Sequence, residues 1–209
     1  MIELRDVEVA LGGITLLAAT SASVRRGETL TVRGRNGAGK STLLRVLAGV
    51  RAPTSGTAHI GGIAAAERDP RIRRSVAAMI GLPPMAADLT VRDHVAIVAT
   101  SWLDEADAAT RLTEEVLTEL ELEELGERFP HELSSGQTQL FGLALVLARP
   151  FEVLILDEPE QRLDPERLEL VIGALRARRE AGATLVLATH SAQLADALGQ
   201  QTLWLGETA

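Results

Sequence analysis

The chain has 209 residues, with 21 basic and 29 acidic side chains and a formal net charge of −8. That length makes one large domain or two small ones and can bury a core without covalent staples. Zero cysteines exclude disulfides, thiolate metal sites and thiol nucleophiles, and the acidic balance argues against a broad nucleic-acid footprint.

In chain order, residues 2–9 alternate apolar and charged side chains and predict an edge or half-buried strand. The opening Met-Ile-Glu-Leu-Arg-Asp therefore reads as a strand, not as a signal sequence. Gly12-Gly13 turns into a second strand over 14–24. Residues 29–33 form a short β-branched strand that runs into a glycine-rich loop. Residues 41–48 carry apolar side chains at helical spacing, and Gly49 stops them. A Pro/Gly-rich stretch follows, and 76–80 predicts a buried strand.

From 90 to 125 the pattern is helical and acidic. A helix is expected over 134–148, an apolar strand over 153–156, and a helix over 165–181 with Pro165 at its first position. A buried strand over 184–188, a short helix over 191–198 and a last strand over 202–205 complete the chain. Apolar strands alternating with helices predict an α/β fold with a mostly parallel sheet covered on both faces. The stretch 85–130 has no strand-like run and reads as a helical insertion within one domain spanning 1–209. Residues 1–84 and 131–209 then form the core.

The longest apolar run, 140–148, falls well short of the ~18 residues of a membrane span. The expectation is a soluble, intracellular chain whose membrane role comes through a partner.

The glycine-rich loop carries the chemistry. Gly34-Arg35-Asn36-Gly37-Ala38-Gly39-Lys40-Ser41 matches G-x-x-x-x-G-K-[ST], with a strand before and a helix after. Glycines let the backbone aim N–H groups at phosphate oxygens, and the helix start adds its positive dipole end. Lys40 supplies a compact charge for β- and γ-phosphates, and Ser41 offers a hydroxyl to Mg²⁺. Composition adds weight. Twenty of the 21 basic residues are arginine; Lys40 is the only lysine and Asn36 the only asparagine. The chain uses an ammonium only where a guanidinium fork is the wrong shape.

Downstream, Val153-Leu154-Ile155-Leu156 ends in Asp157-Glu158-Pro159. An apolar parallel strand delivers both acids at its carboxyl end, where α/β sheets bind ligands. Asp157 is placed to hold Mg²⁺ and Glu158 to polarise the attacking water. Twenty residues before Asp157 stands Gln137, the end of Leu133-Ser134-Ser135-Gly136-Gln137.

That string resembles the L-S-G-G-Q signature of the ATP-binding-cassette (ABC) ATPases, with Ser135 in place of the first glycine. The motif order resembles the ABC nucleotide-binding domain over nearly the whole chain. Leu163-Asp164 falls where that family's D-loop ends, and His190, 32 residues past Glu158, resembles its switch histidine. His59, His94 and His131 lack such a context and read as surface or packing residues.

The resemblance implies a P-loop NTPase fold, with an antiparallel β edge and a helical subdomain beside the parallel sheet. It implies ATP and Mg²⁺ as ligands. Gly34, Asn36, Gly37, Ala38, Gly39, Lys40, Ser41 and Thr42 would bind phosphates, with Ser41 and Asp157 on the metal. Lys40, Glu158 and His190 would carry hydrolysis. Ser134, Ser135, Gly136, Gln137 and Asp164 would complete the nucleotide site of a partner in a head-to-tail homodimer or heterodimer. The implied function is the ATPase subunit of a membrane transporter, with export somewhat favoured. It would be cytoplasmic and peripheral, held at the inner face of the membrane by a separate transmembrane permease, with no nucleic acid. The alternatives are a non-hydrolysing regulatory cassette and a soluble cassette acting on DNA or ribosomes. The second of these usually needs tandem cassettes or long coiled-coil insertions.

Three positions depart from the family pattern. The slot of a metal-contacting Gln holds Gly81. The slot of an adenine-stacking aromatic falls near Leu11. Thr138, Leu140 and Gln161 replace the usual basic and small hydroxyl residues. The expected result is an active but slow ATPase with relaxed base choice, the base resting on Leu11 and Ile14.

Overall fold

The computed structural model describes residues 1–206. In chain order its elements are β1 (Ile2–Leu11), β2 (Ile14–Val24), β3 (Thr29–Gly34), α1 (Lys40–Leu47), β4 (Ser55–Ile60), β5 (Ile63–Ala64) and α2 (Pro70–Ser75). Then come β6 (Val76–Met79), α3 (Val91–Trp102), α4 (Ala106–Glu119), α5 (Ser135–Leu147), β7 (Val153–Asp157), α6 (Pro165–Glu180), β8 (Thr184–Ala188), α7 (Ala192–Leu198) and β9 (Gln201–Leu205).

The strands form two sheets. One is antiparallel with order β2-β1-β4-β5; the other has order β6-β7-β8-β3-β9, with parallel neighbours throughout. The antiparallel part is thus a sheet of its own, and β1 lies inside it, between β2 and β4, not at an edge. Its apolar spacing already carries the reason for an irregular path. Ile2 and Leu4 are buried, then Val7 and Val9, a step of three where alternation needs two. The ladder shifts register there, and Asp6 takes a positive φ of 47°.

The parallel sheet is covered on both faces, as its continuous apolar strands require. Val153 and Ile155 of β7, with Val186 and Ala188 of β8, face the core shared with α1 and the antiparallel sheet. Leu154 and Leu156, with Leu185 and Leu187, face the core shared with helices α3 to α7. Strand β4, strand β5 and helix α2 were not anticipated in the Pro/Gly-rich stretch. Ser55–Ile60 buries only Ala58 and Ile60, too little apolar signal for a strand read from sequence.

Helices α3 and α4 pack on each other and on α5. Short 3₁₀ turns at Glu123–Leu125 and Pro130–Glu132 lead back to the core. The Arg178 guanidinium on α6 donates two bonds, 2.7 and 2.6 Å, to the Glu119 carboxylate, fastening α4 to the body. His94 is a packing residue. It is buried, its Nδ1 donates to the Thr90 carbonyl at 2.7 Å, its Nε2 accepts from the Ala86 amide at 2.9 Å, and its ring meets Phe141 edge-on.

Candidate active site

Strands β7, β8 and β3 are neighbours in the parallel sheet, so the loops at their carboxyl ends stand side by side. This topology brings together the phosphate loop after β3, the acids after β7 and His190 after β8.

The phosphate loop is shaped by its glycines. Gly39 takes φ 97°, and a Cβ there would stand 2.7 Å from the Leu16 carbonyl oxygen. Only glycine lets strand β2 lie that close. Gly39 is also the N-cap of α1 and places no side chain over the first-turn amides. Those donors and the dipole end are open to an anion. Asn36 is exposed on the loop, and Ala38, Ser41 and Thr42 are half-buried.

Lys40 is 7% exposed. Its Nζ donates to the carbonyls of Gly34 at 3.0 Å and Arg35 at 3.4 Å, and to Nε2 of His190 at 3.0 Å. No carboxylate lies within salt-bridge reach of it among the described residues. A buried ammonium without a counter-charge is costly, and an arriving phosphate would remove that cost. The residues present therefore fit a nucleotide triphosphate tail.

The Lys40 contact also assigns the histidine tautomer. An ammonium only donates, so Nε2 accepts and the ring proton sits on Nδ1. The Glu158 Oε1 atom is 3.4 Å from the same Nε2.

Glu158 follows β7 with φ 49°, a left-handed conformation that is unusual for a side chain of this size. Its strain is held from several sides. The Glu158 amide donates to the Ala188 carbonyl at 2.8 Å, and the Gln161 amide side chain donates to Oε2 at 3.2 Å. The Gln139 side chain, 5% exposed within α5, donates to the carbonyls of Glu158 at 3.2 Å and Pro159 at 3.3 Å. Gln139 was missed from the sequence. Its signal was a polar side chain directly before the apolar run 140–148.

Asp157 closes β7, against which α1 packs, and its carboxylate has no hydrogen-bond partner among the described residues. No cluster of three or more acidic, His or Cys side chains among the described residues could hold an ion by itself. The donor set at Ser41 and Asp157 fits a hard cation that arrives with phosphates and keeps waters.

Ser134 is the N-cap of α5 in a reciprocal capping box. Its Oγ accepts from the Gln137 amide at 3.3 Å, and its own amide donates to the Gln137 Oε1 at 2.8 Å. Ser135 is exposed. Gly136 is buried, and a Cβ there would stand 3.0 Å from the Arg162 carbonyl. The signature thus abuts the segment 160–167 of its own chain and makes no hydrogen bond to the phosphate loop among the described residues. Asp164 caps α6, accepting from the Arg167 amide and guanidinium, each at 2.9 Å.

Gly81 takes φ 80° beside open space, so the missing Gln leaves a backbone position suited to glycine. At the far end of the hairpin, Leu11 and Ile14 pair across the β1–β2 turn and are 64% and 67% exposed.

A family model described as ABC transporter matches residues 17–161. The cobalt import ATP-binding protein CbiO of Rhodobacter capsulatus is 39% identical over 199 residues, covering 91% of this chain and 69% of that protein. The spermidine/putrescine import ATP-binding protein PotA of Nitrosomonas europaea is 34% identical over 203 residues, covering 96% of this chain and 56% of that protein. The chain spans about half the length of the polyamine proteins it matches.

Among solved structures, a dimeric post-hydrolysis state of an ATP-binding cassette with ADP and Pi superposes with TM-score 0.88 at 25% identity, over 98% of this chain and 94% of that one. The ATP-binding subunit of an ABC transporter gives TM-score 0.87 at 28% identity, over 98% and 85%. The expectation of export gains no support from these relatives, since CbiO and PotA are both named as import proteins. With about two-thirds of its length in the family's own model and relatives such as CbiO matching 91% of it, the chain belongs to the ABC transporter family.

Proposed function

We propose that this chain is the ATP-binding and ATP-hydrolysing subunit of an ABC-type transporter, working as a head-to-tail dimer on a separate permease. The observation that carries the reading is Lys40, a buried ammonium with only carbonyls and an imidazole for company, at the uncapped start of α1. A phosphate tail gives it the missing counter-charge. Once Lys40 turns to the phosphates, Nε2 of His190 is free for other partners. Glu158, aimed by its left-handed backbone and by Gln161, orients the attacking water. Ser41 and Asp157 would hold Mg²⁺, which spreads the charge developing on the β- and γ-phosphates.

The start of α5, with Ser134 exposed and Gly136 behind it, makes no hydrogen bond to the chain's own phosphate loop among the described residues and would close the partner's site. The adenine would rest on Leu11 and Ile14, an apolar platform that selects bases weakly. For the permease, a groove of about 390 Å³ opens between the 80–90 segment and α3, lined by Pro83, Pro84, Leu89, Ile97, Val98 and Trp102. No helix among the described residues is long and apolar enough to cross a membrane, so the spanning part would come from that partner, at the inner face of the membrane. The helices over 85–130 act here as the arm carrying one wall of the groove. The import relatives support uptake as the direction.

The test is steady-state ATP hydrolysis by wild type and Glu158→Gln, with size exclusion in ATP. Wild type should hydrolyse; the variant should lose about a hundredfold or more in kcat and accumulate as an ATP-bound dimer. Wild type that neither hydrolyses nor dimerises with ATP would favour the regulatory reading.

A further inference from the structure

The turn after β7 contains a second carboxylate, Glu160, two residues past Glu158. Its Oε1 accepts three hydrogen bonds: from the Thr189 hydroxyl at 2.5 Å, the His190 amide at 3.0 Å and the Ser191 amide at 3.2 Å. Thr189 is 1% exposed. The other oxygen, Oε2, is enclosed and has no hydrogen-bond partner. A single acceptor atom thus gathers the backbone on both sides of His190. It fixes where that imidazole starts from, while the ring itself stays free to meet Lys40 and Glu158.

The cradle joins two loops that the sheet alone does not join. The Glu158 amide bonds to the Ala188 carbonyl, and Glu160 then grips the next three residues. No other side chain among the described residues bonds to the His190 amide. The Ser191 amide also reaches the Thr189 hydroxyl at 2.9 Å, so the Thr189 oxygen is drawn into the same knot. Ser191 in turn caps α7 through its own hydroxyl.

We propose that Glu160 is a positioning residue for hydrolysis: its Oε1 cradle holds the 189–191 loop so that His190 reaches the nucleotide while staying tied to the Glu158 turn. The proposal rests on the reading above that His190 serves the reaction. Charge is not the essential property. The acceptor must sit at the end of a three-carbon arm, because the three donors converge on one point. Hydrogen bonds to a charged oxygen are short and strong, but a neutral amide oxygen at the same place keeps all three.

This yields an unusual order among conservative variants. Glu160→Gln keeps the reach, placing its carbonyl oxygen at Oε1 and its NH₂ where Oε2 has no partner. Glu160→Asp keeps the charge and pulls the acceptor back by one methylene. The experiment measures kcat and KM for ATP hydrolysis, mant-ATP affinity, and the His190 imidazole signal in histidine-labelled protein, assigned with His190→Ala.

Glu160→Gln should stay near wild type. Glu160→Asp should lose about tenfold or more in kcat, with nucleotide affinity within about twofold, and its His190 signal should move or broaden. Asp matching wild type in both rate and His190 signal overturns the proposal. So does Gln failing where Asp works, which would mean that charge matters and position does not. A fall in affinity equal to the fall in kcat also overturns it, because it would mark general damage to the site. Normal hydrolysis by His190→Ala would instead sink the reading of His190. The His190 signals of the Gln and Asp variants would still decide whether Glu160 positions that loop.

Discussion

Lys40 illustrates how much one side chain can decide. It is the only lysine in a chain that uses arginine twenty times, and it occupies a pocket closed by the Gly34 and Arg35 carbonyls and His190. A guanidinium is planar, wider and built for two-pronged acceptors, so it cannot place one compact charge among those three atoms. Lys40→Arg is expected to fail nearly as badly as Lys40→Ala, each losing about a hundredfold or more in ATP turnover. Near-normal turnover by the arginine variant in a phosphate-release assay would contradict this. Residues of this kind were legible in the sequence because loop chemistry is local: Gly39, Lys40 and Ser41 are consecutive. Glu160 was not legible, since its partners lie 29 to 31 residues further on and meet it only through the sheet. Gln139 lies between these cases, a polar letter in an apolar helix whose partners no spacing could name.

At the level of elements, the parallel strands and the helices between them could be read from composition, because burial on both faces demands unbroken apolar runs. The antiparallel sheet was half hidden. Its strand β4 carries few apolar residues and owes its place to pairing with β1, and the two-residue β5 pairs in turn with β4. Helix α2, only six residues long, escapes periodicity altogether. What starts it is Asp69, whose side chain accepts from the Arg71 amide at 2.9 Å and pairs with the Arg71 guanidinium at 2.7 Å. The Arg71 guanidinium bond, followed by the Arg71 amide, holds the Asp69 carboxyl down at about 2. A carboxyl lowered on folding stabilises fully above its unfolded value, and that gain fades as pH falls through the folded one. Acid titration should therefore show Asp69→Asn less stable than wild type at neutral pH. The two should converge as pH approaches about 2. A gap that stays constant across the acid range would show that the cap works through shape alone.

At the scale of the whole molecule, the described chain is two cores on either side of one parallel sheet, with the phosphate loop, Glu158 and His190 at the sheet's carboxyl edge and the open groove beside α3. Its two tryptophans mark those two places. Trp204 on β9 stacks under the Arg33 guanidinium at 5.1 Å, one residue before Leu205, which pairs with Gly34 of the phosphate loop. Trp102 ends α3 and lies under the Arg149 guanidinium at 3.7 Å, on the groove wall. Burial lowers the Arg149 pKa to about 10, and its Nε has no hydrogen-bond partner.

Because the chain contains no tyrosine and phenylalanine emits only at shorter wavelength, its indole-band emission comes from these two tryptophans alone. The protein therefore carries an optical probe at each working surface without any label. In Trp102→Phe the remaining emission should respond to ATP. In Trp204→Phe it should respond to a groove-binding peptide and stay nearly silent to nucleotide. If ATP changes both single-tryptophan spectra equally, the two surfaces move as one body.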